Sequence, residues 1–293
     1  MVNLICKGVH GAQKMGEYTK ITSEKRTFRL GFGELWRYRD LIVLLTKKTF
    51  VLSYKQTVLG PLWLLITPLL SSGIYSIVFG DIVKVQTDGI PQLLFFLCNQ
   101  SLWTLFSSCL LRNANVFREN ADLFGKVYFP RLAVPISNVL VQLAIFGVHF
   151  LLLLGFLLYY SVQGMIRPNW TAWAFLPLVV LQVSLLGMCI GVLVSSMTTK
   201  YRDFSVLVSF GVRLWMYVSP VVYPLSQLDP GVLRVLVMLN PITAPMELFR
   251  WILLGEGTID PLYTVGGAVL LCPIALGALY MFHRVERTFM DSV

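Results

Sequence analysis

The stretch that decides the fold runs from Leu132 to Ile166 and reads LAVPISNVLVQLAIFGVHFLLLLGFLLYYSVQGMI, 35 residues without a charged side chain. A helix crosses the hydrocarbon core of a bilayer with about 20 apolar residues, so this stretch is longer than one crossing. It predicts a membrane-spanning helix, with the remaining residues at the interface between lipid and water.

Four further uncharged runs are each long enough to span a bilayer. They are Leu59–Gly80, Gly89–Leu111, Pro168–Thr199 and Pro261–His283. A sixth candidate, Phe204–Leu228, is interrupted only by Arg213. We therefore predict an all-α polytopic membrane protein with six transmembrane helices.

The composition of the 293 residues supports this class. Hydrophobic residues make up 56% of the chain and charged residues 13%, and the mean hydropathy is +0.71. A soluble domain is typically about 25% charged. The balance excludes a soluble enzyme, a disordered protein and a coiled coil.

Lysine and arginine are distributed unevenly between the two sides of the predicted membrane domain. Nineteen of the 24 precede the first span, lie between spans two and three or between spans four and five, or follow span six. Basic residues accumulate on the cytoplasmic side of membrane proteins. Both termini are therefore predicted to be cytoplasmic, and the net charge of +9 does not indicate nucleic-acid binding.

The segment before the first span has a two-sided pattern. At about 100° per residue, Arg37, Asp40, Lys47, Lys48 and Lys55 fall on one arc of a helix, although Leu44 and Val51 also lie on it. This predicts an amphipathic helix on the cytoplasmic leaflet, whose lysines could meet phosphate-bearing lipid headgroups. An ordinary basic flank of the first span is the alternative.

Two of the connections between spans are unusual. Residues 113–134 mix charged side chains with phenylalanines, which suits either docking to a cytoplasmic partner or a solvated loop. Residues 226–257 are broken by prolines, yet Val232–Leu239 and Met246–Leu254 are apolar and too short to cross a bilayer. They predict re-entrant or interfacial helices on the outer side, bordering a cavity or gate.

The sequence contains no recognised motif for nucleotide binding or catalysis. Walker A, H-E-x-x-H and G-x-S-x-G patterns do not occur, and the five cysteines lack metal-ligand spacing. The predicted spans contain no Asp or Glu, which weakens ion-coupled transport and leaves the energy source to a partner. Arg213 is either a functional residue inside a span or a residue that snorkels to the interface.

Several aromatic residues could line a path for a sugar polymer, because aromatic rings offer flat apolar faces to sugar C–H groups. Packing in the core or in the interfacial belts is the alternative for each of them. The candidates are Trp63, Trp103, Trp215, Tyr217 and Tyr223.

Seven motifs, in order along the chain, resemble the permease subunits of ATP-binding-cassette exporters of the type-two class. Members of that class export lipid-linked polysaccharides such as O-antigen, capsule and teichoic acid. The motifs are ELWRYRDL (Glu34–Leu41), YKQTVLGPLW (Tyr54–Trp63), KVYFPR (Lys126–Arg131), YRD (Tyr201–Asp203), SPVVYP (Ser219–Pro224), LNP (Leu239–Pro241) and ERTF (Glu286–Phe289).

The resemblance implies a homodimer in the bacterial inner membrane, with two separate ATPase subunits that bind ATP and magnesium. This chain would hold no cofactor of its own, and its other partners would be membrane lipids and a lipid-linked polysaccharide. The expected organisation is a cytoplasmic arm (1–33), an amphipathic interfacial helix (34–57), a six-span domain (58–283) and a cytoplasmic tail (284–293).

The resemblance also implies roles for three groups of residues. The lipid-diphosphate contacts would be Arg39, Lys47, Lys48 and Lys55. The coupling element for the ATPase would contain Asn120, Leu123, Phe124, Lys126, Tyr128, Phe129 and Pro130. The translocation path or gate would include Trp63, Trp103, Arg213, Trp215, Tyr217 and Tyr223.

We therefore expect a transport subunit that moves an undecaprenyl-diphosphate-linked polysaccharide outward, powered by a partner ATPase. A permease of the same architecture that exports a small molecule or lipid is the alternative. A membrane enzyme would need a cluster of carboxylates or histidines, and only scattered candidates such as Asp81, Asp88, Glu247 and Asp260 occur. A channel would need a selectivity filter or a ring of charges, and the sequence suggests neither.

Overall fold

A computed structural model describes residues 32–55, 58–126, 129–201, 203–257 and 260–290. Every regular element within these ranges is helical, which confirms the all-α class. Most of the predicted cytoplasmic arm lies outside the described residues, as does Tyr128 of the predicted coupling element.

The described ranges contain twelve α-helices. They are α1 (Phe32–Arg37), α2 (Arg39–Tyr54), α3 (Trp63–Tyr75), α4 (Gln92–Ala114), α5 (Val116–Glu119), α6 (Ala121–Lys126), α7 (Ala133–Val162), α8 (Leu176–Lys200), α9 (Phe204–Val218), α10 (Val232–Leu239), α11 (Thr243–Leu254) and α12 (Pro261–Met290). Short 3-10 turns at Gly60–Leu62 and Trp170–Phe175 lead into α3 and α8, and a π-helical stretch, Ser76–Ile82, extends α3.

Five helical stretches among the described residues are long and apolar enough to cross a membrane. They are Gly60–Ile82, Gln92–Ala114, Ala133–Val162, Trp170–Lys200 and Tyr263–Val285. The pair α10 and α11 reaches the same length and hydropathy only when counted together, and its two helices are bent by 86°. The described chain therefore has five or six candidate spans.

The candidate span Phe204–Leu228 differs from its prediction, because α9 ends at Val218 after 15 residues. Ser219 is extended, with φ −94° and ψ 153°. The following Pro220 explains this end, since a proline disfavours the helical conformation of the residue before it. At about 1.5 Å per residue, α9 is shorter than the thickness of a hydrocarbon core.

The central helix of the bundle is α4, which contacts α3, α7, α8, α9 and α11. Its phenylalanines Phe95, Phe96 and Phe106 are fully buried, and so are Leu94 and Leu97. A helix that is apolar on all sides is a buried helix. The N-terminal half of α4 thus forms the middle of the larger hydrophobic core.

The closest helix packing joins α4 to α8. Gly187 and Gly191, one turn apart on α8, face the backbone of α4 at Phe106 and Leu110. Farther along, the hydroxyl of Thr198 donates a hydrogen bond to the carbonyl oxygen of Ala114. The two helices therefore run parallel, and small residues let their backbones meet.

A second, smaller core lies at the C-terminal end of α4. It joins Phe117 of α5 and Phe124 of α6 to Phe282 of α12: the ring centroids of Phe124 and Phe282 lie 5.8 and 5.1 Å from that of Phe117. Ile42 of α2 is buried in the same core. This core seats α2, α5 and α6 together at one end of the bundle.

The helix α11 packs at the opposite, N-terminal end of α4. Nearly all of its residues are buried, whereas α10 leaves most of its apolar side chains exposed. The helix ends at Gly255, whose φ of 81° is the left-handed conformation that glycine adopts without strain. The re-entrant arrangement of this hairpin stays a prediction.

Candidate functional site

The predicted lipid-diphosphate contacts are exposed side chains of α2 and of Lys55, which caps its C-terminal end. The packed side faces α7 and the smaller core through Tyr38, Ile42 and Leu45. The exposed side carries the four basic residues interleaved with apolar ones. The exposed basic residues are Arg39, Lys47, Lys48 and Lys55, and their apolar neighbours are Val43, Leu44, Val51 and Leu52.

The N-terminal turn of this exposed side is held by weak surface contacts. Arg39 Nε lies 3.9 Å from Asp40 Oδ1, and its guanidinium carbon lies 5.7 Å from the centre of the Trp36 ring. Exposed ion pairs contribute little to stability. The basic side chains are therefore available to a negatively charged ligand or surface.

The predicted coupling element is divided between core and surface. Phe124 and Phe129 are buried, with ring centroids 5.9 Å apart, and the guanidinium carbon of Arg131 lies 5.5 Å from the centre of the Phe124 ring. Asn120 shapes the start of α6, because its carbonyl oxygen accepts the N–H groups of Leu123 and Phe124.

The surface that this element offers to a partner is charged rather than aromatic. Lys126 is exposed, while Asn120, Leu123 and Pro130 are partly buried. The neighbouring residues Arg118, Glu119 and Asp122 are also exposed, although they were not predicted from the sequence as contacts of the ATPase. Their charged side chains, together with Lys126, form the accessible part of α5 and α6.

The six residues predicted for a path or gate do not converge on one cavity. Trp103 is buried and Trp215 is half-buried, and both rings contact Phe106, with centroid distances of 5.4 and 5.3 Å. Trp63 and Tyr217 are 45% and 51% exposed, and Arg213 is exposed on α9. Tyr223 is half-buried and donates a hydrogen bond to the carbonyl oxygen of Val218.

One face of α9 is an exposed apolar surface. Asp203, Val206, Leu207 and Phe210 line an open groove at the start of the helix. The opposite side of α9 is anchored to the core, where Tyr75 of α3 donates a hydrogen bond to the sulfur of Met216 over 3.7 Å. Because its apolar side chains are exposed, this face could contact lipid or another protein chain.

Sequence reasoning missed a buried ion pair in α11. Arg250 Nη2 lies 2.5 Å from Glu247 Oε2, and the two side chains are 1% and 2% exposed. A signal was present, because a Glu–Arg pair three residues apart interrupts the apolar stretch Met246–Leu254. Spacing alone did not show that the pair faces the core.

Two buried asparagines hold the connection that follows α9. Asn99 of α4 donates a hydrogen bond to the carbonyl oxygen of Val221 over 3.1 Å. Asn240 donates to the hydroxyl oxygen of Ser219 over 2.9 Å. These bonds fix the connection at two points close to the end of α9.

Among the residues that the structure describes, no three His, Cys, Asp or Glu side chains come together in a group that could hold a metal ion. The site is therefore a set of surfaces: the basic side of α2, the charged surface of α5 and α6, and the exposed face of α9.

Comparison with known proteins gives consistent results. A family model described as "ABC-2 type transporter" matches residues 40–254. Two proteins of Klebsiella pneumoniae, each named "O-antigen export system permease protein RfbA", are 28% and 29% identical to this chain. Each alignment covers 86% of this chain and 94% of the relative. A protein of the same name from Myxococcus xanthus is 28% identical over 89% of this chain and 98% of its own length.

Proposed function

Because the chain belongs to the ABC-2 type transporter family, we propose that it is the transmembrane subunit of an ATP-driven exporter of polysaccharide. The cargo is an undecaprenyl-diphosphate-linked glycan such as O-antigen, capsule or teichoic acid, moved from the cytoplasm to the outer side of the bacterial inner membrane. The observation that carries this proposal is the near-complete coverage of relatives named as O-antigen export permeases.

The energy source in this proposal is a separate ATPase. A permease without a nucleotide-binding motif needs a partner that hydrolyses ATP, and the sequence has no Walker A pattern. Two copies of the chain would pair with two ATPase subunits, which would hold ATP and magnesium. The charged surface of α5 and α6 is the docking candidate, because it is the exposed part of the segment between the second and third spans.

The first contact with the cargo would be made by the exposed side of α2. Its lysines and Arg39 would neutralise the diphosphate, and the interleaved apolar side chains would lie against the lipid. Basic residues near an anionic membrane surface each contribute about 1 kcal/mol of attraction. This arrangement supports a role in recruiting a lipid-linked anion on the cytoplasmic leaflet.

The path of the glycan would run along the exposed face of α9 and past the exposed ring of Trp63. A second copy of the chain would complete this path, since Trp63 and Tyr217 are exposed in the single chain. Aromatic rings contact sugar faces without a charge that would hold a long polymer. Arg213 would lie along this face, with Asp203 as a second charge at the start of α9.

Co-purification tests the proposal. The chain is expressed with a candidate ATP-binding-cassette ATPase subunit from the same organism, extracted in mild detergent, and weighed by native mass spectrometry. A complex with two copies of each subunit is expected. A chain that never binds the ATPase, and whose loss leaves surface polysaccharide unchanged, would contradict the proposal. A bound ATPase with unchanged polysaccharide would favour export of a small molecule or lipid instead.

A further inference from the structure

The buried charges of α11 are joined to two other parts of the fold. Glu247 uses both carboxylate oxygens: Oε2 accepts from Arg250, and Oε1 accepts the backbone N–H of Leu225 over 3.4 Å. On the other side, the guanidinium carbon of Arg250 lies 5.2 Å from the centre of the Phe95 ring of α4. The pair thus connects α11 to α4 and to residues 219–228, hereafter the 219–228 segment.

The 219–228 segment contains no long helix, and both packing and hydrogen bonds hold it: Val221 and Val222 are buried in the larger core, and Asn240 donates a hydrogen bond to Ser219. Asn99 of α4 binds Val221 from the core side. At its far end, Ser226 donates its hydroxyl hydrogen to the carboxylate of Asp88, and Gln227 donates to the carbonyl oxygen of Gln86. The Ser226 and Gln227 contacts are exposed to solvent, whereas Leu225 and Glu247 are buried.

A buried ion pair usually adds little to the free energy of unfolding. Removing two charges from water is costly, and apolar side chains of similar size often replace such pairs without loss. Arg250 also keeps an Nε–H without a hydrogen-bond partner among the described residues. Apolar side chains could not, however, accept the hydrogen bond that the backbone N–H of Leu225 donates to Glu247. The gain from this pair is therefore the position of the 219–228 segment.

We propose that Glu247 and Arg250 are positioning residues that hold the 219–228 segment against α4, so that the gate predicted around residues 226–257 opens for cargo only when the contact between Glu247 and Leu225 breaks. The second half of this statement rests on the proposed function, and the first half does not. Arg250 fixes the carboxylate of Glu247, and that carboxylate fixes Leu225. Breaking the pair frees the segment while the rest of the bundle stays packed.

Cys98 of α4 is a native reporter for this movement. It is fully buried, lies one turn from Phe95, and is adjacent to Asn99. Cys109 and Cys189 are buried elsewhere in the bundle, and Cys272 is exposed. The reaction rate of each thiol with N-ethylmaleimide, resolved by peptide mass spectrometry, reports opening at each place separately, because a buried group reacts through local opening.

The decisive variant is the double substitution Glu247→Leu with Arg250→Met. It removes both charges together, so the fold is expected to persist, but Leu225 loses its acceptor. We expect Cys98 to react about tenfold faster than in the unsubstituted chain, with the rates of Cys109 and Cys189 unchanged. Asp229→Asn, an exposed change of carboxylate to amide beside the segment, is the matched control and should change no rate. Because Arg250 acts electrostatically on the Cys98 thiol, a Cys98 rate that is unchanged both in the double variant and in Glu247→Gln, which keeps Arg250, would overturn the proposal.

Faster labelling of Cys109 and Cys189 would show that the double variant unfolds. In that case a second variant tests the positioning role. Glu247→Gln keeps the shape but has one acceptor oxygen, so it must give up either Arg250 or Leu225. Several-fold faster labelling of Cys98 is expected there, again without change at Cys109. Equal rates for Glu247→Gln and the unsubstituted chain would overturn the proposal.

The role in export has its own test. Ser226→Cys with Asp88→Cys places two thiols at positions whose side chains are in contact, since the Ser226 hydroxyl donates a hydrogen bond to the Asp88 carboxylate. A short reducible thiol cross-linker then ties the segment to the loop before α4. Cross-linking should stop polysaccharide export, and reduction should restore it. Export that continues in the cross-linked protein would remove the movement from the proposal. Absence of export from the unsubstituted chain would contradict the proposed function, while the Cys98 rates would still test the positioning role.

Discussion

A Cβ atom placed on Gly187 would lie 2.6 Å from the carbonyl oxygen of Phe106, so α8 and α4 pack backbone against backbone at this level. The same atom would lie 2.9 Å from Cβ of Cys109. Backbone atoms cannot rotate away as a side chain can. The glycine is therefore a requirement of the helix contact that organises the larger core.

Substituting Gly187 by alanine is expected to lower the free energy of unfolding by about 1–3 kcal/mol, because the two helices must separate to admit the methyl group. Gly155→Ala is the matched control, since Gly155 is an exposed helical position where an added methyl group would meet no atom within 4 Å. Thermal unfolding in detergent measures both. Equal stabilities of the two variants would show that α8 can shift away from α4 without cost, and that the contact does not require glycine at position 187.

Charge reversal of Lys47, Lys48 and Lys55 is expected to lower polysaccharide export at least about tenfold, since each lysine contributes about 1 kcal/mol of attraction to an anionic surface. The amount of protein in the membrane should stay the same, because these side chains are exposed. Surface polysaccharide is quantified by immunoblotting. Lys84→Glu, a reversal in an exposed loop at the far end of α3, is the control. Normal export by the triple variant would remove the diphosphate contact from α2.

Lys126 and Phe124 are expected to behave differently although both lie on α6. Lys126→Glu should weaken binding of the ATPase at least about tenfold by reversing one charge of the docking surface, with thermal stability unchanged. Phe124→Ala should lower the free energy of unfolding by about 3–5 kcal/mol, because its ring is buried beside Phe117. Affinity and thermal unfolding are measured for each. Full ATPase binding by Lys126→Glu would place the docking surface elsewhere.

Substitutions of Tyr217 and Trp103 are expected to distinguish a residue of the transport surface from a residue of the core. Tyr217→Ala should change the free energy of unfolding by about 0.5 kcal/mol or less, because the ring is exposed, yet reduce export. Trp103→Ala should cost about 3–5 kcal/mol of stability through the cavity it leaves. Thermal unfolding and surface polysaccharide are measured for both variants. Normal export by Tyr217→Ala would exclude this ring from the path.

The long spans could be predicted from sequence, because a run such as Leu132–Ile166 has no other place to bury its apolar surface. The end of α9 at Val218 was harder, since hydropathy continues across Pro220 while the helical conformation does not. The bounds of a span depend on backbone conformation as well as on hydropathy.

The candidate site was harder to predict from the sequence than the fold. Trp63 and Trp103 each lie in an uncharged run, and the sequence does not show that Trp63 is exposed while Trp103 packs against Phe106 in the core. Phe124 stands among charged residues, yet it packs inward. Glu247 and Arg250 are three residues apart, but their isolation from solvent arises from contacts with α4 and the 219–228 segment.

In the proposed function, this chain couples ATP hydrolysis by a partner to movement of a lipid-linked glycan. The most direct measurement is ATPase activity of the purified complex in proteoliposomes, with undecaprenyl-diphosphate-linked glycan or with undecaprenyl diphosphate alone. We predict that the glycan-bearing lipid raises the hydrolysis rate and that the bare lipid does so much less. A rate that responds to neither lipid, in a complex that hydrolyses ATP, would contradict the account.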